Sequence, residues 1–576
     1  MTSEPEHRAS RPSPRGREWS QRLRSLSRLD LVWGVCVLLL FLIAQDQVRR
    51  TLSFVVDDAY ITFSFSKNLG TGQGPVFSHG VRVEGYSNFL WMVVVAIRYL
   101  FVGSGDPLPF AQVAALGFLA ATLFGVYRLT RRAAGPFAAL AATLLLVCCT
   151  DLFRAAASGL ETVPFAAAIL LGWSVYFAES PTNRRWSLLA FLPAALMRID
   201  GFVPMLVVFG AELLGSIGQR RFSVKAFLRW CLPAFALWGT YFCWRYAYYG
   251  LPLPTTYYAK SVVSLGDPDR GFRQAFDFVR DYGALALLPF GLLAIVSGPR
   301  REALCLSLAV LLQIAHAVNV GGDWMPFHRF LLPIVPLAAV MVGWGVQHAW
   351  RIACRYAWLQ RGVAELALLG ALTFACVHLH MFSVDSPQEA EKLASAQHSI
   401  YHTRDHLLAV KDWMALVVRR PGDVLVTDYA GVFSVFTDAA VIDQWGLANA
   451  DIALHGSTAL VNPIYGKACP ECYARMDPDY FHVDTPMLRS LTEFTNVSQV
   501  IPFVFTGPAI DRVISIRRNF AAGRVVLEKT GQVLWFLERR RAERRLETRY
   551  PAPGFRVDYP FEATSAADTS APETTP

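Results

Sequence analysis

Residues 55–91 read VVDDAYITFSFSKNLGTGQGPVFSHGVRVEGYSNFLW, and they follow the first long apolar run of the chain. Asp57 and Asp58 stand side by side near the start of this stretch, without a cationic partner close in the sequence. If they follow the end of a membrane-spanning helix, both lie at the negative end of its dipole, where a carboxylate is unfavourable. A solvated helix terminus would explain them, but two carboxylates in such a position favour a functional site in which one is a general base.

The apolar run at 90–103, into which this stretch leads, decides the membrane topology. It is short and contains Arg98, which is typical of a helix that lies on the membrane surface. If it lies flat, every later cluster of Arg and Lys falls on one side, which the positive-inside rule assigns to the cytoplasm. These clusters are Arg131–Arg132, Arg184–Arg185, Arg220–Arg221–Lys225, Arg300–Arg301 and Arg351–Arg355–Arg361. The unusual polar residues then all face outward.

Composition predicts an α-helical polytopic membrane protein. The 576 residues are 53% apolar and only 17% charged, whereas soluble domains carry about 25% charge. The apolar runs are long enough for about eleven transmembrane helices. The net charge of +9 comes from clusters between these runs, which excludes a nucleic-acid-binding pattern. A transporter or channel is disfavoured because the spans are nearly free of charge and no internal repeat is visible.

Changes in composition predict the domain boundaries. Residues 1–28 are basic and are expected to form a disordered cytoplasmic tail. Residues 29–380 form the transmembrane domain, with residues 47–107 as its first external loop. Residues 381–560 have the composition of a soluble α/β domain, which the topology places outside the cytoplasm, and residues 561–576 are a disordered tail.

Within the α/β domain, residues 387–420 have a helical pattern. Strands are predicted at 423–436, 439–443 and 500–505, and residues 524–539 read as a hairpin that turns near Thr530–Gly531.

Cys469 and Cys472, in the sequence CPEC, are the only pair of cysteines in a polar region. An extracytoplasmic location permits a disulfide, which is the preferred interpretation. The spacing also matches half of a zinc site, but no second pair follows it.

The first external loop resembles that of the GT-C family of glycosyltransferases that use polyprenyl-phosphate sugars. Within the family it is most similar to the mycobacterial terminal β-(1→2) arabinofuranosyltransferases, and to related bacterial membrane proteins linked to flagellar motor control. Five further stretches extend the resemblance: SGLET (Ser158–Thr162), RIDG (Arg198–Gly201), YYGLPLPTTYYAK (Tyr248–Lys260), GGDWMPFHRFLLP (Gly321–Pro333) and VIDQWGLAN (Val441–Asn449). It therefore covers nearly the whole membrane part and reaches into the α/β domain.

The resemblance implies a GT-C fold and a catalytic Asp in the first external loop. The implied reaction moves a sugar, with arabinofuranose favoured, from a polyprenyl-phosphate donor to a cell-envelope glycan or glycolipid on the outer face of the plasma membrane. Asp57 is slightly preferred as the base by analogy, and Asp58 would then bind the acceptor or a divalent cation. No His-rich ligand set stands out, and the metal requirement stays open.

Positively charged side chains of the outer loops are expected to hold the donor phosphate. The candidates are Arg329, His328, Lys260 and Arg198. Each has an alternative interpretation: Arg329 and Lys260 could reach lipid headgroups, and Arg198 could form a local charge pair with Asp200.

Polar and aromatic side chains of the same loops are expected to bind the substrate. They are Glu84, Tyr86, Asn88, Glu161, Asp200, Tyr257, Asp323 and Trp324. Structural roles remain open for several of them: Glu161 could belong to a helix N-terminus, and Trp324 could be an interfacial anchor.

The sequence departs from the family pattern at two places. The family leads us to expect an Arg shortly after the Asp pair, where this chain has SFSKNL and Lys67; Phe327 and His328 precede Arg329. Both departures leave the sugar open, with mannose or another lipid-linked sugar as an alternative. A non-catalytic protein of an envelope or flagellar-motor complex is the second alternative.

Overall fold

The computed structural model describes residues 55–353 apart from short gaps at 104, 179–185, 219–222, 265–267, 283, 298, 324 and 326–327. In the C-terminal part it describes 422–457, 469–483, 520–527, 532–539 and 555–558, with a few single residues elsewhere. Several predicted parts lie outside the described residues: most of the first long apolar run, residues 354–380 of the transmembrane domain, most of the helix over 387–420, the strand over 500–505 and the two tails, 1–28 and 561–576.

Helices build the membrane part. In chain order they are α1 (Asp57–Gly70), α2 (Phe89–Phe101), α3 (Leu108–Ala134), α4 (Pro136–Val147), α5 (Thr150–Ala157), α6 (Thr162–Tyr176), α7 (Ser187–Met197), α8 (Phe202–Gly218), α9 (Val224–Tyr249), α10 (Thr255–Ser264), α11 (Pro268–Asp281), α12 (Ala284–Ser297), α13 (Arg300–Asn319) and α14 (Val335–Ala353).

Four helical segments of the described chain are long and apolar enough to cross a membrane. They are Leu108–Ala134, Ile199–Gly218, Arg300–Asn319 and Leu332–Ile352, and the pair α4 and α5, bent by 57°, could form a fifth. The predicted number of about eleven spans therefore stays a prediction. α2 has 13 residues, which at 1.5 Å per residue gives about 20 Å, less than the hydrocarbon core of a bilayer.

The C-terminal part is a mixed α/β unit. Its elements are β1 (Val424–Thr427), α15 (Ala430–Phe436), β2 (Ala440–Asp443), α16 (Ala450–His455), α17 (Pro470–Met476), β3 (Tyr480–Val483), β4 (Phe520–Leu527), β5 (Gln532–Arg539) and β6 (Phe555–Asp558). The strand order is β2-β1-β3-β5-β4-β6. β1 is parallel to β2 and β3, whereas the β3–β5, β5–β4 and β4–β6 pairs are antiparallel.

The predicted hairpin over 524–539 is confirmed, since β4 and β5 pair antiparallel up to Leu527 and Gln532. The predicted strand over 423–436 is wrong in its second half. Only Val424–Thr427 is a strand, and the apolar GVFSVF that follows belongs to α15.

The α/β unit and the membrane part share one apolar core. Buried side chains of α1, such as Tyr60 and Phe63, belong to the same continuous cluster as Phe433 of α15 and Leu447. Gly431 shows how close the two parts are: a Cβ atom there would lie 2.4 Å from the Ile61 nitrogen. The α/β unit is thus packed directly on the helix that begins with the two carboxylates.

Candidate active site

Asp57 and Asp58 lie in the first turn of α1, after an extended Val56. This is the positive end of the helix dipole, where carboxylates are stabilised. The expectation that they bear an unfavourable dipole interaction is therefore wrong, because the described chain begins a new helix at this point. Successive residues of a helix are rotated by about 100°, so the two carboxylates face different surroundings.

Asp57 contacts the α/β unit. Its Oδ2 accepts a hydrogen bond from the Gly431 N–H at 2.9 Å, and its Oδ1 accepts one from the Val432 N–H at 2.8 Å. Burial raises the pKa of Asp57 well above its usual range, although both hydrogen bonds oppose this shift. The geometry therefore gives no support to the preference for Asp57 as the base.

Asp58 lines a cavity of about 610 Å³ between α1, the loop after it and the ends of α7, α9, α10 and α13. Most of the predicted site residues line the same cavity: Asp58, Glu84, Tyr86, Asn88, Glu161, Arg198, Asp200, Tyr257, Lys260, Asp323 and Arg329. The fold therefore collects side chains that are up to 271 positions apart in the sequence, from Asp58 to Arg329.

Lys260 is the cation next to Asp58. Its Nζ lies 3.8 Å from Asp58 Oδ2, and the two side chains are 30% and 25% exposed. Both groups are therefore accessible from the cavity, so a small molecule can approach the carboxylate and the ammonium together.

Arg329 faces the cavity from the loop after α13. Its Nε donates to Asp323 Oδ2 at 2.7 Å, and Asp58 and Glu161 also lie close enough to attract its charge. Asp323 is itself held by α11, because its N–H donates to Gln274 Oε1 at 2.7 Å. Within the described part of the chain, the bond to Asp323 uses Nε alone, so the terminal nitrogens can present a two-point donor to an anion.

Arg198 is engaged by carboxylates. Its Nε and a terminal nitrogen donate to the two oxygens of Asp200 at 2.9 and 3.0 Å, and Glu161 Oε1 lies 3.6 Å away. The ring of Phe330 covers the guanidinium at 4.8 Å. This is the charge pair that the sequence left open as an alternative to phosphate binding.

Glu84 and Arg245 form a buried ion pair at the cavity wall, with Nε to Oε1 at 2.8 Å and a second contact at 2.6 Å. Sequence analysis predicted Glu84 and missed Arg245. A signal existed, because an arginine inside the apolar, aromatic run of α9 is unusual enough to indicate a specific partner.

Two other predicted side chains are fixed by polar neighbours. The Tyr86 hydroxyl lies 2.9 Å from the Tyr249 hydroxyl. Asn88 donates from Nδ2 to Glu161 Oε2 at 2.9 Å. These bonds shape the cavity wall between the first external loop and the start of α6.

The remaining predicted residues lie elsewhere. His328 does not line the cavity; its Nε2 lies 3.1 Å from Asp281 Oδ2. Trp324 lies outside the described residues. Cys469 and Cys472 are joined as a disulfide, with Cα atoms 5.2 Å apart, at the start of α17. In the described ranges, no group of three or more His, Cys, Asp or Glu is arranged to hold a metal ion.

The chain is similar in sequence to a known glycosyltransferase and in fold to solved structures. No protein-family profile matches the chain. The terminal β-(1→2)-arabinofuranosyltransferase of Mycobacterium tuberculosis is 26% identical over 333 residues, which cover 50% of this chain and 52% of that protein. The chain thus matches about half the length of this curated relative.

Two solved structures of ArnT from Cupriavidus metallidurans have a similar fold. The structure bound to undecaprenyl phosphate has a TM-score of 0.52 at 14% identity and covers 81% of this chain and 95% of ArnT. The apo structure has a TM-score of 0.54 at 14% identity, with coverages of 88% and 98%. The predicted fold class, an α-helical polytopic membrane protein, is confirmed, because the chain shares the fold of ArnT. The number of about eleven transmembrane helices and the extracytoplasmic location of the α/β domain stay predictions.

Proposed function

We propose that this protein is a membrane glycosyltransferase that transfers a sugar from a polyprenyl-phosphate donor to a hydroxyl group of a cell-envelope glycan, on the outer face of the membrane. The observation that carries the proposal is the arrangement of Asp58, Lys260 and Arg329 around one cavity. The likeness to ArnT, which was solved bound to undecaprenyl phosphate, supports a lipid-phosphate donor.

The chemistry requires a base and a positive charge. The acceptor oxygen forms a bond to the anomeric carbon of the donor sugar, and the bond from that carbon to the phosphate oxygen breaks. Asp58 takes the proton of the acceptor hydroxyl, for which a positioned base contributes about 10²–10⁴ in rate. Lys260 and Arg329 stabilise the departing polyprenyl phosphate, which leaves as an anion and needs no proton.

Arabinofuranose is the favoured sugar because the arabinofuranosyltransferase of M. tuberculosis is the curated relative with a sequence match. The proposed reaction does not require a divalent cation. The buried Glu84–Arg245 pair and Tyr86, which line the same cavity as Asp58, would contact the sugar or the acceptor.

The test is transfer of radiolabelled sugar in membranes, from polyprenyl-phosphate-arabinose to an arabinan-like acceptor. We expect transfer by the wild type and a loss of about 10²–10⁴-fold in Asp58→Asn at unchanged protein level. If only a mannose donor supports transfer, the proposed donor sugar is wrong and the proposed mechanism stands. Full activity of Asp58→Asn would contradict the base, and no transfer from any lipid-linked sugar would favour a non-catalytic envelope protein.

A further inference from the structure

The contact between α1 and α15 has opposite charges at its two ends. At the N-terminus of α15, Asp57 accepts hydrogen bonds from the Gly431 and Val432 N–H groups. At its C-terminus, Lys67 donates from Nζ to the Val435 carbonyl oxygen at 2.8 Å. A carboxylate at the positive end of a helix and an ammonium at the negative end are both stabilising. α1 therefore holds α15 at both ends.

At the N-terminal end of α15 the two helices touch through their backbones. A Cβ atom at Gly431 would lie 2.4 Å from the Ile61 nitrogen and 2.5 Å from the Asp57 carbonyl oxygen. No side chain fits there, so the position of α15 fixes the position of the first turn of α1.

The α/β unit also reaches the cavity itself. Leu447, which follows β2, lines the cavity. The Thr255 hydroxyl at the start of α10 donates to the Leu447 carbonyl oxygen at 2.6 Å. α10 carries Lys260, so the α/β unit contacts both the helix with the proposed base and the helix with its cationic neighbour.

We propose that Asp57 is a positioning residue that, together with Lys67, holds the α/β unit along α1 and thereby directs Asp58 into the cavity. The two adjacent carboxylates then have separate tasks, one in the contact between the two parts and one in the reaction. The inference rests on the proposed function, in which Asp58 is the base.

Two readouts test the proposal on the full-length protein in detergent or membranes. Hydrogen exchange of the peptide that contains Gly431 and Val432 measures the contact directly, without any substrate. Transfer kinetics measure its consequence. We expect Asp57→Asn to accelerate exchange at this peptide, because the amide nitrogen that replaces one of the two accepting oxygens can only donate.

The kinetic effect should be specific. We expect kcat of Asp57→Asn to fall about 10–100-fold, because a shift of about 1 Å at a reacting group can have that effect. KM for the lipid donor should stay unchanged, since the cations that hold its phosphate lie on α10 and on the loop after α13. Gly431→Ala should give the same defects, and the double variant should be no worse than either single one. Asp451→Asn, a carboxylate in the first turn of α16, is the matched control and should change neither readout.

The proposal is overturned by unchanged exchange in Asp57→Asn, by faster exchange with unchanged kcat, or by multiplicative losses in the double variant. A loss as large as that of Asp58→Asn would instead make Asp57 the base. Failure of the proposed function can be told apart from failure of this inference. A wild type without transfer contradicts the proposed function, whereas the exchange measurement needs no transfer and still tests the contact between Asp57 and α15.

Discussion

The adjacent residues Asp57 and Asp58 have different surroundings. Asp57 is half-buried where α1 meets α15, and it accepts two backbone hydrogen bonds. Asp58 faces the cavity and Lys260. The oxygens of Asp57 are each directed at a backbone N–H of α15, whereas Asp58 lines the cavity, where an acceptor hydroxyl can donate to it. The proposed assignment of the base to Asp58 rests on this difference.

Glu84 should make stability depend on pH. Burial raises its pKa from 4.5 to about 7, against the lowering effect of Arg245. Between these values the folded state keeps a proton that the unfolded state has released, so the free energy of unfolding falls as the pH rises. We expect the wild type to lose about 2.5 kcal/mol more than Glu84→Gln between pH 5 and pH 8, because most of the shift from 4.5 to about 7 lies within this range.

Thermal unfolding in detergent across this pH range measures the difference between wild type and Glu84→Gln. Glu471→Gln, at an exposed position of α17, is the control and should follow the wild type. Parallel pH dependences of wild type and Glu84→Gln would show that burial of Glu84 is fully compensated by Arg245.

At the scale of single residues, the sequence predicts which residue types line the cavity but not how their side chains are oriented. Asp58, Lys260 and Arg329 were predicted for the site and line the cavity. The difference between Asp57 and Asp58 was not predictable, because it depends on how α1 is rotated against a helix more than 370 residues away. His328 precedes Arg329 in the sequence, yet its imidazole turns to Asp281.

At the scale of elements, α11 supports the loop that carries Arg329. Gln274 exchanges hydrogen bonds with the backbone of Asp323, as donor at 3.0 Å and as acceptor at 2.7 Å. A Cβ atom at Gly271 would lie 2.4 Å from the Val318 carbonyl oxygen on α13. This close approach of α11 and α13 therefore requires a glycine at position 271.

We expect Gly271→Ala to push α11 away from α13 and to lower the free energy of unfolding by about 1–3 kcal/mol. KM for the lipid donor should rise, because Asp323 and Arg329 move with α11. The matched control is Gly210→Ala in α8, where a Cβ atom would meet nothing within 4 Å and where alanine favours the helix by about 1 kcal/mol. Thermal unfolding and donor titrations distinguish the two variants, and equal behaviour would contradict the packing argument.

The elements that sequence reasoning found are those with local signals. The hairpin of β4 and β5 has alternating strands around a turn. β3 was missed because it has four residues and its pairing with β1 and β5 is entirely long-range. α15 was predicted as a strand because GVFSVF is apolar and β-branched, and packing on α1 overrides that preference.

At the scale of the whole molecule, the α/β unit is part of the candidate active site rather than a separate module. Its Phe433 and Leu447 belong to the same apolar core as α1. Its Ala448 packs against Gly85 of the first external loop, where an added Cβ would lie 2.7 Å from the Ala448 Cβ. A domain that only bound a distant part of the acceptor would not need such close backbone contacts with the helix that carries Asp57 and Asp58.

A stop codon after residue 380 should therefore abolish transfer and also lower the thermal midpoint of the membrane part, because Tyr60 and its neighbours lose their apolar cover. Removal of only the low-complexity residues 561–576 is the control and should change neither quantity. Activity and unfolding are measured on both variants in the same detergent. A truncated protein that unfolds like the wild type but transfers no sugar would assign the α/β unit to acceptor binding alone. Retained transfer would exclude it from the active site and contradict the positioning role of Asp57.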